Sequence, residues 1–547
     1  MQFPSITEES RRILGNVLLM DDSLRIPSAF VEAAGKILFT ASDDKPFLPS
    51  PCKITETASA LYGLIAAGAS AVSAVRYGSV FQDIKVNTDV ASLSLFSVIL
   101  PTVADEPFMD NEHLKTEFMK GDIYGLSKPI CARSNGLYRT KGSRWYYSHS
   151  DFNAGKAMEM LGIEENDTIS YDEAYRVYAE KIAQWDAQLL EETANSEYRI
   201  SGTQCLSHEE FLCSEPGKIV CEEPLYTLNP VRAPRSQWPN SEGGSDSENS
   251  PLTGIKVIDL SRVIAAPVIS KILAVLGAEV LKISWEELPD YGFLWVDLST
   301  GKGDTNIDLK SRAGQDAFSA LLQDADVLID GYRPGVLDRL GFCTEVIRDI
   351  NPRLIIVREN CYGWTSSLAD RAGWQPNSDC LVGHSWLQGQ FLGLEEPVLP
   401  PLPANSDMQT GLIGAAATIQ ALYMRTQADA TFDVKTSLTQ YNVWLYRLGQ
   451  YTDAQQRWLR DCNTAFNAQH SDSVQTLLAK THQAVLQTRP DLFQHQEYFW
   501  CMEGKEWGLD EDIRILAPAF EFKESKLGYR VPSGRRGRSV PRWTKDL

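Results

Sequence analysis

Apolar positions along this chain change rhythm near residue 250. Beyond that point, short apolar runs alternate with helical stripes. Lys256-Val-Ile-Asp-Leu260 reads as a buried strand, Pro267 to Leu276 as a helix closed by Gly277, and Val280 to Ile283 as the next strand. Ala313 to Leu322 reads as a helix opened near Ser311, Val327-Leu-Ile329 as a strand, and Leu354-Ile-Ile-Val357 as another after Asn351-Pro352. Met408 to Met424 then predicts a long helix of small residues. Strands and helices at this spacing predict an α/β fold with a doubly wound, mostly parallel sheet.

The earlier part shows no such opening. Asn135 to Tyr147 predicts a hairpin turning at Lys141-Gly-Ser143, and Tyr171 to Glu191 a helix with Tyr175, Tyr178, Ile182 and Trp185 on one stripe. A stretch rich in Pro, Ser, Asn and Gly marks residues 236–250 as a linker. The expected divisions are therefore 1–235, the linker 236–250, an α/β core at 251–450, and a C-terminal segment 451–547 packing on that core. The two sides of the linker are related, because Ile54 to Ala67 reads in register with Ser406 to Ala417. Glu56 falls opposite Asp407, and Asp83-Ile-Lys-Val falls opposite Asp433-Val-Lys-Thr with a one-residue gap.

Charge and cysteine usage narrow the function classes. A formal net charge of −20 over 547 residues opposes nonspecific binding to nucleic acid or an anionic membrane. The 10 cysteines are scattered without a C-x-x-C pair, which argues for reduced thiols and against a metal site. The first residues lack a secretory apolar stretch, and no window approaches about 18 uninterrupted apolar residues. The expected location is cytoplasmic.

Three groups of residues can carry chemistry. Asp407 stands at or beside the expected helix N-cap, where free N–H groups and the helix dipole favour an ionised carboxylate; most aspartates so placed only cap. Tyr332, Arg333 and Arg339 follow a strand at its carboxyl end, where an aromatic face and guanidiniums suit a stacked base and phosphates. The plainer alternative is a turn, with Arg339 paired to a helix carboxylate. Arg262, Val263 and Ile264 sit where the first strand gives way to a helix, a natural anion site. Gly411 and Gly414 imply close approach by another backbone or by a ligand, or, equally, tight helix packing.

The segments Pro251 to Pro267, Leu276 to Ile283, Asp330-Gly-Tyr-Arg-Pro-Gly-Val-Leu-Asp-Arg-Leu-Gly341 and Asn405-Ser-Asp-Met-Gln-Thr-Gly411 follow one another in an order that resembles the class III CoA-transferase family, in a long, two-copy form. The resemblance implies an enzyme that takes coenzyme A or an acyl-CoA as substrate, holds no permanent cofactor, and moves CoA to a carboxylic acid. Asp407 would attack the thioester, giving an anhydride and then an aspartyl-CoA thioester. It also implies CoA contacts from Arg262, Val263, Ile264, Lys302, Tyr332, Arg333 and Arg339. Lys302 matches part of a basic loop whose other members are replaced here by Ser299, Thr300 and Gly303. Ile264 replaces a glutamine of formyl-CoA transferases, and Gly373-Trp-Gln375 replaces the Gly-His-Asp of racemases; His384 is no direct substitute. These departures argue against both chemistries. Hydrolysis, base catalysis on a non-CoA ligand, and CoA binding without turnover stay open as alternatives, as do a homodimer and an internally completed pseudo-dimer.

Overall fold

A computed structural model describes residues 5–239 and 250–544, so most of the expected linker lies outside the described residues. Strands and helices from both sides of that linker shape the site. The first part contributes Ile37–Thr40 (β1), the helix Ile54–Tyr77 (α1), Ile84–Asn87 (β2) and Thr227–Arg232 (β3). The second contributes Lys256–Leu260 (β4), Ala265–Val275 (α2), Glu279–Ser284 (β5), Lys302–Asn306 (β6), Val327–Asp330 (β7), Ile355–Asn360 (β8), Asn405–Met424 (α3), Ala430–Ser437 (β9) and Phe520–Phe522 (β10).

Seven of these strands form one sheet in the order β6-β5-β4-β7-β8-β9-β3. All neighbours are parallel except β3, which runs antiparallel on β9. Alternation along the strands feeds two cores. Val257, Val280, Ile329 and Val357 pack with α1, α2 and α3, while Ile258, Leu281, Leu328 and Ile356 pack with Phe318, Leu322 and Ile347. Near-continuous apolar runs such as Leu354 to Val357 arise because both faces of the strand are covered. The helix expected at 313–322 spans Arg312–Asp324 and is capped by Ser311, whose Oγ accepts the Gly314 N–H at 3.0 Å.

Strand pairing crosses the expected divisions. Strand β3, from the first part, completes the edge of the large sheet on β9. In return β10, near the C-terminus, pairs antiparallel with β2, whose other neighbour is the parallel β1. The C-terminal segment is thus shared: β10 completes the first part's small sheet, while Trp543 is buried against Phe318 and Leu321 of the second. The repeat has a matching geometry. Glu56 and Asp407 are each the third residue of their helices, and those helices, α1 and α3, pack together.

Local structure differs from expectation in three places. Lys302 opens strand β6 rather than lying in a loop. The expected helix from Tyr171 breaks into Tyr171–Ile182 and Ala187–Thr193, because Asp186 caps a new start through the N–H groups of Gln188 and Leu189. The hairpin forms as Gly136–Arg139 and Trp145–His149, with Ser201–Gln204 added as a third strand. Helix α1 is long and apolar enough to cross a membrane by length and composition, and 89% of its apolar window is buried inside the protein.

Candidate active site

The sheet order reverses between β4 and β7, and the chain after β4 packs into one core through α2 while Leu337 after β7 packs into the other. Such a reversal opens a crevice where α/β sheets bind ligands. Here it is a cleft of about 800 Å³, lined by Arg262, Val263, Ile264, Tyr332, Arg333 and Arg339, with Asp407 also on its wall. Val263 takes a left-handed φ of +67°, a costly conformation for a β-branched residue, at the turn that carries the chain from β4 into α2.

The cleft residues are not equivalent. The Arg262 guanidinium lies between two rings, 4.8 Å from the centre of Phe152 and 5.2 Å from that of Tyr332, and donates to the Pro289 carbonyl at 2.5 Å. One face of Tyr332 is therefore already covered by a cation. Arg333 is tied to Asp151 by an ion pair of 2.6 Å. Arg339 is exposed on the cleft rim. Lys302 does not join them. Its side chain is fully buried, 2.9 Å from Asp259 and 2.7 Å from the Pro267 carbonyl, so it pins β6 to β4 and the start of α2. Burial pushes the Lys302 ammonium down to about 8 despite Asp259. For Asp259, burial is outweighed by Lys302, Lys282 and the hydroxyls of Ser261 and Ser270, which hold the carboxyl below its ordinary range.

Asp407 departs from expectation too. It lies inside the first turn of α3, with Ala404 at the cap, and its own N–H donates to Gln375 Oε1 at 3.2 Å. The residue is half-buried, opening on the cleft. Burial, with Glu359 and Asp379 nearby, pushes its carboxyl well above the ordinary carboxylate range rather than favouring the ion. Asp379 is raised to about 6 by burial, although it accepts from Gln375 at 3.0 Å, Asn442 at 2.8 Å and Ser406 at 3.3 Å. Gly411 and Gly414 serve helix packing: a Cβ on either would sit 2.5 Å from Val268 or Ile269 of α2.

The first part of the chain builds one wall. Phe152 lines the cleft, and Trp374 donates its indole N–H to Asp151 at 2.7 Å while stacking on His149 at 4.7 Å. Trp374 thus has no basic nitrogen to offer. His149, pushed down to about 4 by burial, stays neutral behind it. His384 is buried, bonded to the Asn442 carbonyl at 2.9 Å, and equally neutral. Glu56 sits apart from the cleft, fully buried, accepting from Tyr451 Oη at 2.6 Å with its second oxygen unpartnered. Sequence reading missed Glu359, Arg371, Phe152 and Asp151. The polar run Arg358-Glu-Asn at the carboxyl end of a buried strand was a signal for Glu359; the first-part residues left none, because their partners lie far away in sequence.

The sequence profile of CoA-transferase family III matches residues 252–493. Acetyl-coenzyme A transferase nodX of Hypoxylon pulicicidum is 31% identical over 559 residues, covering 98% of this chain and 92% of that one. The chain belongs to CoA-transferase family III. Family membership makes it a CoA-transferase, with an acyl-CoA as substrate. The succinyl-CoA–L-malate CoA-transferase beta subunit of Chloroflexus aurantiacus is 35% identical over 189 residues, or 32% of this chain and 46% of that one. A solved CAIB/BAIF family protein from Brucella suis aligns over 53% of this chain and 97% of its own at 19% identity, with a TM-score of 0.38. The family III profile begins after β3, yet the cleft of this CoA-transferase takes Phe152 and the Asp151 tether from before it.

Because Glu56 is buried as a raised carboxyl, Glu56→Gln in this CoA-transferase is expected to keep near-wild-type turnover. Burial lifts Glu56 to about 7, above its unfolded value, so its ionisation costs stability increasingly as pH rises from about 4.5 through 7. The glutamine removes that cost while still accepting from Tyr451. Urea midpoints at pH 5 and 8 check this: the variant's advantage should grow with pH, and a tenfold loss of turnover would assign Glu56 to the chemistry.

Proposed function

We propose that this enzyme moves CoA from an acyl-CoA donor to an organic carboxylic acid through Asp407. The observation that supports this most directly is a carboxylate on the wall of an 800 Å³ cleft whose other residues include Arg262, Arg333 and Arg339. Pockets of about 300–1,000 Å³ hold sizeable ligands, and guanidiniums grip phosphates through paired N–H groups. The adenine and phosphates would lie toward Tyr332 and Arg339, and the thioester toward Asp407. The name of the Hypoxylon relative makes acetyl-CoA the first donor to try.

The chemistry follows from a carboxylate beside a thioester. An Asp407 oxygen attacks the acyl carbon; the C–S bond breaks and CoA leaves as the thiolate, giving a mixed anhydride. The thiolate then attacks the Asp407 carbonyl, releasing the acyl group as a carboxylate and leaving an aspartyl-CoA thioester. Attack by the acceptor carboxylate and return of the thiolate complete the exchange, with Asp407 regenerated. The walls from Phe152 and Trp374 limit access of water, which would otherwise hydrolyse either intermediate. An organic acid of natural-product type is the acceptor class to try first.

Incubation with acetyl-CoA and a panel of acyl-CoAs, followed by hydroxylamine or borohydride trapping and mass spectrometry, tests the proposal. The expected result is a modification on the peptide carrying Asp407; a CoA adduct lost to water without an acceptor would favour hydrolysis, and no adduct from any donor would overturn covalent transfer. Arg339→Ala and Tyr332→Ala are each expected to weaken CoA binding by about 1–3 kcal/mol, since bound CoA desolvates these contacts. Calorimetry on folded variants checks this. Unchanged affinity in both would remove the loop after β7 from the CoA site.

A further inference from the structure

We propose that Asp151 determines whether an organic acid or water resolves the covalent intermediate, by clasping the first part of the chain against the cleft. The inference rests on the reading of Asp407 as nucleophile. The cleft wall has a seam, since Phe152 belongs to the first part of the chain and Trp374 to the second, and both line the cleft. Their rings meet edge to face, with centres 5.3 Å apart and planes at 80°. Trp374 stands next in sequence to Gln375, whose side-chain oxygen takes the Asp407 N–H at 3.2 Å. The seam therefore runs close to the nucleophile.

Asp151 crosses this seam with both of its oxygens. Oδ1 accepts the Trp374 indole N–H at 2.7 Å, and Oδ2 pairs with Arg333 at 2.6 Å. Arg333 follows β7 and Trp374 follows β8, so one carboxylate ties two separate loops of the second part to the first. On its own side Asp151 is braced: Ser201 Oγ donates to Oδ1 at 2.8 Å, and the Asp151 N–H donates to His149 Nδ1 at 3.0 Å. The turn carries a left-handed φ of +57°, which an aspartate tolerates better than most residues. It sets the next residue, Phe152, between Arg262 at 4.8 Å and Tyr291 at 5.1 Å. Farther along, Glu191 pairs with Arg371 at 2.7 Å and Thr203 bonds to Tyr362 at 2.5 Å. Losing Asp151 thus loosens the Trp374 and Arg333 end without separating the two parts.

The aspartyl-CoA thioester waits for the acceptor acid, and water competes for the same carbon. When a carboxylate oxygen of the acid attacks the Asp407 carbonyl carbon, the C–S bond breaks and the thiolate returns to the acid, giving the new acyl-CoA. When water attacks instead, its oxygen bonds to that carbon and the C–S bond breaks. CoA then departs as the thiol with one water proton, the other proton goes to solvent, and Asp407 is regenerated as a carboxylate with no acyl-CoA made. CoA and the acid fill the cleft from its rim, so the seam is the path left to water, and closing a site against water suppresses this side reaction. Loss of one charge-assisted bond raises the population of an open state about tenfold. Hydrolysis should follow that population.

The test gives wild type, Asp151→Ala, Trp374→Phe and the double variant the donor that labels Asp407, acetyl-CoA first, together with the isotope-labelled form of the same acid. Transfer appears as label entering the acyl-CoA, and hydrolysis as free CoA thiol. Asp151→Ala should raise the ratio of hydrolysis to transfer about tenfold, with CoA affinity equal or tighter because Arg333 is freed. Trp374→Phe keeps a ring but lacks the N–H, and should raise the ratio about threefold. The double variant should stay within about twofold of Asp151→Ala, since both changes remove the same bond. An unchanged ratio in Asp151→Ala, or a double effect equal to the product of the single ones, overturns the proposal; general damage to the fold would lower both rates and leave the ratio alone. If circular dichroism shows that Asp151→Ala does not fold, the ratio in Trp374→Phe decides. A trapped Asp407 adduct in wild type keeps the Asp407 reading whichever way the ratio falls, and absence of that adduct removes both.

Discussion

Asp407→Asn is expected to lower CoA transfer by at least about 10³-fold while leaving CoA affinity within about threefold of wild type. The amide keeps the shape and the backbone N–H bond to Gln375, but it cannot form an anhydride. Asp407→Glu should fail as well, because one methylene displaces the attacking oxygen by more than a near-attack geometry allows. The asparagine variant should be no less stable. Asp407 has a folded pKa raised by burial and by Glu359 and Asp379, so the stability it contributes is present at low pH and lost as pH rises through the folded value. Removing the charge therefore helps most at alkaline pH. Initial rates, calorimetry and urea unfolding separate these effects, and wild-type turnover by Asp407→Asn would exclude the covalent route.

Lys302→Met is expected to cost about 3–5 kcal/mol of stability, because it strands the buried Asp259 carboxylate without its cation. Pairing it with Asp259→Asn should recover much of the loss, since the amide oxygen can still accept from one of Ser261 and Ser270 while its NH2 donates to the hydroxyl oxygen of the other. Affinity for CoA in the folded fraction should be close to wild type. A variant of normal stability that has lost CoA would return Lys302 to the binding site.

Legibility from sequence followed burial on both faces. Strands β4, β5 and β7 are short apolar runs with punctuated ends, each readable within a residue, whereas β8 runs three residues past its expected end through the polar Arg358-Glu-Asn360. Strand β6, Lys-Gly-Asp-Thr-Asn, carries almost no apolar signal, because a buried lysine paired with Asp259 takes the place of a hydrophobe. The same substitution of an ion pair for apolar packing made Lys302 look like a ligand. Arg262, Tyr332 and Arg339 were readable because they lie where strand ends must meet a ligand. The state of Asp407 was not, since it depends on Glu359 and Asp379, brought in by other elements. Nor could Phe152 and Asp151 be found from spacing, as only the fold carries them to Tyr332, Trp374 and Arg333.

The reciprocal placement of β3 and β10 bears on how the chain is made. During synthesis from the N-terminus, β3 emerges before the sheet it will complete, so it waits for β9 some 200 residues later. The converse delay is longer. One edge of β2 stays open until residues 520–522 leave the ribosome, and an unpaired edge is an invitation to pair with another chain. Chains stopped before residue 520 should therefore associate or aggregate even though the catalytic sheet is already complete, and quality control would act on the last few per cent of the protein.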